Sequence, residues 1–270
     1  MNFINLHHVN INYNFIKGAG KRIFLLINPL GTDYRIWNYT IPYLLNYGSV
    51  LCFDKQGHGL SSKSSESNYP IVKYSQDVIA LLDFLKIEKT ILIGSSIGGI
   101  IGQYLGVFHA DRIDKLILCN SAPKVGTFEG WENRINHVKS KGIVSFSNDI
   151  MNAWFSEKFN STHFEIITGI NTMLINSNED GYITACKALQ ANDLTDIIKK
   201  INIPTLCIAG SEDGSTPPSL VESMACLIPN AEYHLIEGVG HLPFVEQPSL
   251  FTDVILIFLA KYDDNLILTP

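Results

Sequence analysis

The chain has 270 residues, 46% of them hydrophobic and 17% charged, with a net charge of −6. That balance excludes a disordered chain and suits one large α/β domain with an insertion, or two small domains. A mild acidic excess without a Lys/Arg cluster gives no electrostatic case for nucleic acid or an anionic membrane as partner.

The first 20 residues alternate polar and apolar positions, which predicts two short antiparallel strands closing near Gly18 and Gly20, with His7 and His8 in the early strand. Strands and helices then alternate. "RIFLLIN" reads as a buried strand, "GTDYRIWNYTIPYLL" as a helical region and "SVLCFD" as a strand. "IVKYSQDVIALLDFLKI" reads as a one-faced helix, "KTILIGS" as a strand, "IGGIIGQYLGVFHA" as a helix and "IDKLILCNS" as a strand.

The alternation stops after Ser121. Between Pro123 and Lys200 the segments "WENRINHVKS", "VSFSNDIMNAWFSEKF", "EIITGINTMLINS" and "DGYITACKALQAN" read as successive helices. "IPTLCIAG" restores a strand, "PSLVESMACLI" a helix, "AEYHLIEG" a strand and "PSLFTDVILIFLAKY" a final helix. The tail "DDNLILTP" is expected to fray. Such alternation predicts an α/β fold with a mostly parallel sheet between helices. Residues 1–121 and 201–270 would form the core, and 122–200 a helical cap over one end of the sheet. The N-terminus has neither a basic start nor a long apolar run, and no later segment is long and apolar enough to span a bilayer. The five cysteines, Cys52, Cys119, Cys186, Cys207 and Cys226, are odd in number and lack metal-type spacing. A reducing, cytoplasmic setting without a disulfide framework is expected.

Ligands of open α/β sheets gather outside the carboxyl ends of the strands. The glycine-rich and polar stretches fall at that end: "NPLG", "DKQGHGLSS", "GSSIGG", "CNSAP", "AGSEDGSTP" and "EGVGHLPF". Gly94-Ser95-Ser96-Ile97-Gly98 fits G-x-S-x-G between a strand and a helix, with Ser96 central. The small residues two before and two after relieve the crowding of a strained turn. Ser95 lacks that flanking pair. A tight Gly/Ser turn without chemistry remains the bland reading of the pentapeptide alone.

A serine hydroxyl needs a base, and histidine titrates in the right range. Of eight histidines, His109, His137, His163 and His234 read as lying within helices or strands and His58 lies in "GHG"; the loop histidine His241, in "GVGHLPF", is the one that completes the chain order Ser, acid, His. The acid is Asp213 in "GSEDGSTPP", with Glu212 as rival, and its task is to hold the imidazole tautomer. Alone, Asp213 reads as a turn residue. Ile97 N–H at the helix start and Leu30 N–H in "NPLGT" are the candidate oxyanion donors, with Gly31 or the Asn28 side chain as alternatives to Leu30. No metal site is read, and the glycines do not form G-x-G-x-x-G, so no cofactor is implied.

With these motifs the chain resembles the α/β-hydrolase superfamily over nearly its whole length. The carriers are "GSSIGG", "DKQGHGLS", "GSEDGSTPP" and "GHLPFVEQP". Within it the chain is most similar to 3-oxoadipate enol-lactonases, through "NPLGTDYRIWNYTIPYL", "GTFEGWENRI" and the run from "NSNEDGYITACKALQAN" to "IPTLCIAG". The resemblance implies an eight-stranded α/β-hydrolase fold with a helical cap. It places a triad on Ser96, Asp213 and His241 and oxyanion donors on Leu30 and Ile97. It implies hydrolysis of 3-oxoadipate enol-lactone in the β-ketoadipate branch of aromatic catabolism; separately, a monomer or small homo-oligomer is expected. Gln56 departs from the Arg usual before Gly-His-Gly, so an ion pair with Asp54 is expected to be missing.

Because that lactone carries a free carboxylate, a cation should face the pocket. Arg134 is the first candidate and Arg35 the second, and for each a solvated surface role is the bland alternative. Trp131 and Trp154 are candidates for the pocket wall or for cap core, and Trp37 reads as core. Rival readings are another carboxylesterase, such as a pimeloyl-carrier-protein methyl ester esterase of biotin synthesis, a cofactor-free haloperoxidase or carbon–carbon hydrolase, and a non-turnover binding protein on the same fold. A dehalogenase would want Asp at position 96.

Overall fold

The computed structural model describes residues 2–6, 9–66 and 68–263. His7, His8 and the tail 264–270 lie outside the described residues. The eight strands are β1 (Asn2–Leu6), β2 (Val9–Ile16), β3 (Arg22–Ile27), β4 (Gly48–Phe53), β5 (Thr90–Ser95), β6 (Ile113–Cys119), β7 (Thr205–Gly210) and β8 (Glu232–Ile236). They form one sheet in the order β1-β2-β4-β3-β5-β6-β7-β8. Only the β1–β2 and β2–β4 pairs are antiparallel. The sequence explains the split. β4, β5 and β7 are continuous apolar or small-residue runs, buried along their whole length, as strands covered on both faces must be. β2 alternates apolar and polar residues along most of its length, and much of β1 faces solvent.

Eleven α-helices occur among the described residues: α1 (Ile41–Leu44), α2 (Ile71–Phe84), α3 (Ile97–Phe108), α4 (Phe128–Lys141), α5 (Ser147–Trp154), α6 (Glu157–Thr162), α7 (Phe164–Ile175), α8 (Glu179–Ala191), α9 (Pro218–Leu227), α10 (Pro243–Glu246) and α11 (Pro248–Ala260). α3 packs on β5 and β6 with α2 beside it, and α9 packs on β7 and β8. No helix among the described residues is long and apolar enough to cross a membrane.

Helices α4–α8 are inserted between β6 and β7. Two helical readings need correction. "VSFSNDIMNAWFSEKF" is not one helix: the chain leaves α5 at Phe155 and starts α6 after Ser156. Ser156 is an N-cap whose hydroxyl accepts from Phe159 N–H, and a cap residue requires extended backbone. The region 34–45 is a 3₁₀ turn, Tyr34–Tyr39, followed by the four-residue α1 with Pro42 in its first turn. Proline cannot continue a preceding helix, so the two pieces stay separate.

The sheet order reverses between β3 and β5. β3 has β4 on one side and β5 on the other, and the next strands are added outward from there. Ile27 lies beside Gly94 in register. The loop after β3 and the turn after β5 therefore open side by side at the switch point, where a crevice forms in such sheets.

Candidate active site

Ser96 stands at the end of β5 with φ 55° and ψ −120°, a backbone conformation that is costly for any residue with a side chain. Neighbouring glycines make the turn possible. A Cβ on Gly94 would strike the Gly98 carbonyl, and one on Gly98 would strike the Ile27 carbonyl of β3. The turn is held by Ser96 N–H donating to Cys119 O (3.0 Å) and by Ser121 Oγ donating to Ser96 O (2.8 Å). Ser96 is half-buried and lines a cavity, whereas Ser95 is fully buried within β5 and Cys119 lies beside its hydroxyl.

The cavity has a volume of about 310 Å³ and lies between the sheet end and the insertion. Ser96, Leu30 and His241 line it from the sheet side, and Arg134, Trp131 and Trp154 from the insertion. Five residues read from separate segments as catalytic, oxyanion or pocket groups thus share one space with Ser96. His241 Nδ1 is 2.8 Å from Asp213 Oδ2, and both side chains are buried. Asp213 Oδ1 accepts from Ser215 N–H (2.7 Å) and Thr216 N–H (2.9 Å), so the carboxylate is fixed on both oxygens. Glu212 instead turns to the N-terminus of α6, where it accepts from Glu157 N–H at 3.1 Å. His58 is buried, with Nδ1 3.0 Å from Gln56 O, and burial drives it down to about 3. It stays neutral and does not line the cavity.

Ile97 opens α3, where the first N–H groups have no intrahelical acceptor. Leu30 N–H finds no acceptor among the described residues. The two alternatives to it fare differently. Asn28 Nδ2 is spent on Thr32, bonding its carbonyl and its Oγ1 (3.1 Å). Gly31 supplies a backbone with φ +72° that carries the loop over the cavity, and Leu174 and Tyr182 crowd the place a Cβ would take.

Arg35 does not enter this cavity. Its guanidinium forms a two-point pair with Asp33 (2.9 and 2.6 Å) and its side chain is 64% exposed, in a separate groove beside Gly59 and Met173. Asp33 N-caps the following 3₁₀ turn, and proximity along the chain decided the pairing. Arg134, by contrast, has no carboxylate partner among the described residues. It packs its guanidinium over Trp131 (5.4 Å) and Phe146 (5.7 Å), and its charge partly opposes the rise that burial imposes on the Tyr182 hydroxyl. Trp131 is locked by Nε1 donating to Val125 O (2.7 Å). Trp154 stacks beside the His241 ring at 6.2 Å. Trp37 is fully buried against Phe244 and is core.

A model of the Alpha/beta hydrolase family matches residues 24–254. The chain belongs to the alpha/beta hydrolase family. It is 30% identical over 255 residues to 3-oxoadipate enol-lactonase 2 of Acinetobacter baylyi, covering 94% of this chain and 95% of the relative. It is 32% identical over 234 residues to 3-oxoadipate enol-lactonase 1 of the same organism, covering 87% of each. The crystal structure of the enol-lactonase from Burkholderia xenovorans LB400 superposes with a TM-score of 0.92 at 28% identity, over 96% of this chain and 100% of that one.

The hydrolase fold places further groups around the cavity that pattern reading missed. Asn120, directly after β6, has φ 46° and no solvent exposure. Its Nδ2 donates to Gly240 O (2.9 Å) and its Oδ1 accepts from Gly210 N–H (2.9 Å). One amide thus ties the β7 end, which leads to Asp213, to the loop carrying His241. Its signal was position alone, a polar residue in "CNSAP" after a buried strand. The end of α5 adds two more ties: Ala153 O accepts from Gly214 N–H (3.1 Å) and Trp154 O from His241 N–H (2.7 Å). Glu246 accepts from Gly240 N–H (2.7 Å) and from Ser156 Oγ (2.5 Å), and burial raises its carboxyl despite those donors. The break between α5 and α6 therefore docks the insertion directly on the loops bearing Asp213 and His241. Tyr182, fully buried on α8, lines the cavity with its ring against the Leu30–Gly31 loop. Nothing in the periodicity of α8 marks it.

Gln56 is buried where the resemblance led to an expected loss of charge pairing, and Asp54 is compensated by neutral donors: Asn12 Nδ2 (2.8 Å), Tyr34 N–H (2.8 Å) and Leu60 N–H (2.9 Å). Burial is the larger influence and leaves the Asp54 carboxyl raised. The cysteines are free thiols, all buried except Cys226. Among the described residues no group of three His, Cys, Asp or Glu could hold a metal ion.

Proposed function

We propose that this chain is a serine hydrolase of carboxylic esters or lactones, acting on a small anionic enol-lactone of the 3-oxoadipate type. In this reading His241 takes the Ser96 proton as Ser96 Oγ attacks the ester carbonyl. Leu30 and Ile97 N–H groups hold the oxyanion, and Asp213 stabilises the imidazolium. The ring C–O bond breaks as His241 gives its proton to the leaving enol oxygen, which stays tethered to the acyl group. Water then opens the acyl-enzyme, with His241 again acting as base and returning the proton to Ser96 Oγ. One water is consumed per lactone opened. Residues 122–200 act as a cap over 1–121 and 201–270, supplying the pocket wall through Trp131 and Trp154.

The observation that carries the reading is Arg134. A cation without a carboxylate partner lines the cavity that Ser96 and His241 also line. A buried or half-buried charge is costly unless it is paired, and a substrate carboxylate would complete it. The similarity to enol-lactonases over most of both chains supports the same substrate class. The test is a hydrolysis panel of the enol-lactone, neutral short nitrophenyl esters and a methyl-pimeloyl carrier protein, with wild type and Ser96→Ala. The expected result is a kcat/KM for the lactone well above the rest, abolished by Ser96→Ala. Preference for the carrier ester would replace the substrate, and full activity of Ser96→Ala would remove the nucleophile.

A further inference from the structure

The loop after β3 rests on a buried lysine that the proposed mechanism does not use. Lys55 follows β4 in "DKQGHG" and is 1% exposed. Its ammonium donates to Asn28 O (2.8 Å) and to Pro29 O (3.0 Å). Pro29 O also accepts from Thr32 Oγ1 at 3.0 Å. That carbonyl belongs to the same peptide unit as Leu30 N–H. A trans peptide is planar, with its C=O and N–H pointing in opposite directions. Two donors on the oxygen therefore fix where the N–H points, and a positive one draws electron density out of the amide and strengthens it as a donor.

We propose that Lys55 is a positioning residue that aims and polarises the Pro29–Leu30 peptide, so that Leu30 N–H serves as a preorganised oxyanion donor. The inference rests on the serine-hydrolase reading above and adds to it. A purely structural lysine would be a poor choice for this place. Burying an ammonium is costly, and a well-packed apolar side chain is often no less stable. Desolvation pushes Lys55 down to about 7, while Asp54 and Asp33 hold it up. The other groups facing it are accounted for: Arg35 is paired with Asp33, and His58 is neutral. The charge that polarises the peptide is thus present on the acid side of neutrality and fades as pH rises through about 7.

The test compares wild type, Lys55→Met and Lys55→Gln on the best ester or lactone substrate. It adds two inhibitors, an alkyl trifluoromethyl ketone, which forms a tetrahedral oxyanion on the serine, and the carboxylate product, which does not. Losing a whole oxyanion donor costs about 10²–10³ in rate, so weakening one should cost about 10–100-fold. We expect kcat and ketone affinity to fall together by that factor in Lys55→Met, with KM and product affinity within about twofold. Lys55→Gln, a neutral donor, should fall between. The decline of wild-type kcat above about pH 7 should vanish in both variants. Unchanged kcat and ketone affinity in Lys55→Met would overturn the proposal, as would equal losses of ketone and product affinity. If Lys55→Met does not fold, Lys55→Gln carries the same comparison, and its unchanged kcat and ketone affinity would do the same. Ser96→Ala separates the two readings: its full activity removes the hydrolase mechanism itself, whereas a dead Ser96→Ala beside an unaffected Lys55→Met removes only the role of Lys55.

Discussion

Replacing Arg134 by Met should separate charged from neutral substrates. Methionine keeps an unbranched stem against Trp131 and Phe146 but removes the cation. Two unit charges about 4 Å apart at an effective dielectric near 20 attract by about 4 kcal/mol, and desolvation cancels part of it. A hydrogen bond to a charged group is worth about 1.5–3 kcal/mol net. At about 1.4 kcal/mol per factor of ten, the variant should lose about 10–150-fold in kcat/KM on a lactone or ester carrying a free carboxylate. On the matching substrate with that carboxylate esterified, the loss should stay within about threefold. The residual effect on the neutral substrate measures the packing cost against Trp131 and Phe146. The assay is steady-state hydrolysis of the matched pair, with the ratio of the two kcat/KM values as readout. Equal losses on both substrates would show that Arg134 only packs, and no loss on either would show that no carboxylate meets it. Either result refutes the anionic-substrate reasoning.

Asn120→Ala should destabilise the fold and slow turnover together. It strands Gly210 N–H and Gly240 O in the interior and leaves alanine at φ 46°, for a loss of about 2–5 kcal/mol in chemical denaturation. A change below about 0.5 kcal/mol would mean that the amide does not hold the two loops. Asp77 gives a pH-dependent outcome. It is buried on α2 with Tyr69 OH donating to Oδ2 (2.7 Å), and desolvation lifts its carboxyl from 3.8 to about 7. With the folded value raised, its favourable contribution is complete below about pH 4 and is lost as pH climbs through about 7. Asp77→Asn keeps an acceptor for Tyr69 and never ionises. Its stability relative to wild type should be near zero at pH 4 and rise to about 1–3 kcal/mol at pH 8, under a ceiling near 4 kcal/mol set by that gap. A pH-independent difference in urea midpoints would refute it.

The sequence by itself determined the alternation of buried strands and helices, the inserted helices between β6 and β7, and the strained turn at Ser96. These features are local. A doubly covered strand needs an unbroken apolar run, and a turn such as Gly94–Gly98 admits almost no other residue types. The order of Asp213 and His241 was legible because each sits in a loop after a strand, although the choice of Asp213 over the adjacent Glu212 needed the tertiary contacts. What only the tertiary structure decided is which distant groups meet. Arg134 and Arg35 are the same residue type with the same expected role. One reaches the cavity because α4 packs on α8 beside Tyr182, and the other is captured by Asp33 two residues away. Helix periodicity could not foresee that the chain breaks at Ser156 to dock α5 on the His241 loop, because the partner, Glu246, lies 90 residues on. Lys55 looked like a loop residue at a strand end. Its meaning comes from two carbonyls more than 25 residues earlier, brought to it by the pairing of β3 with β4.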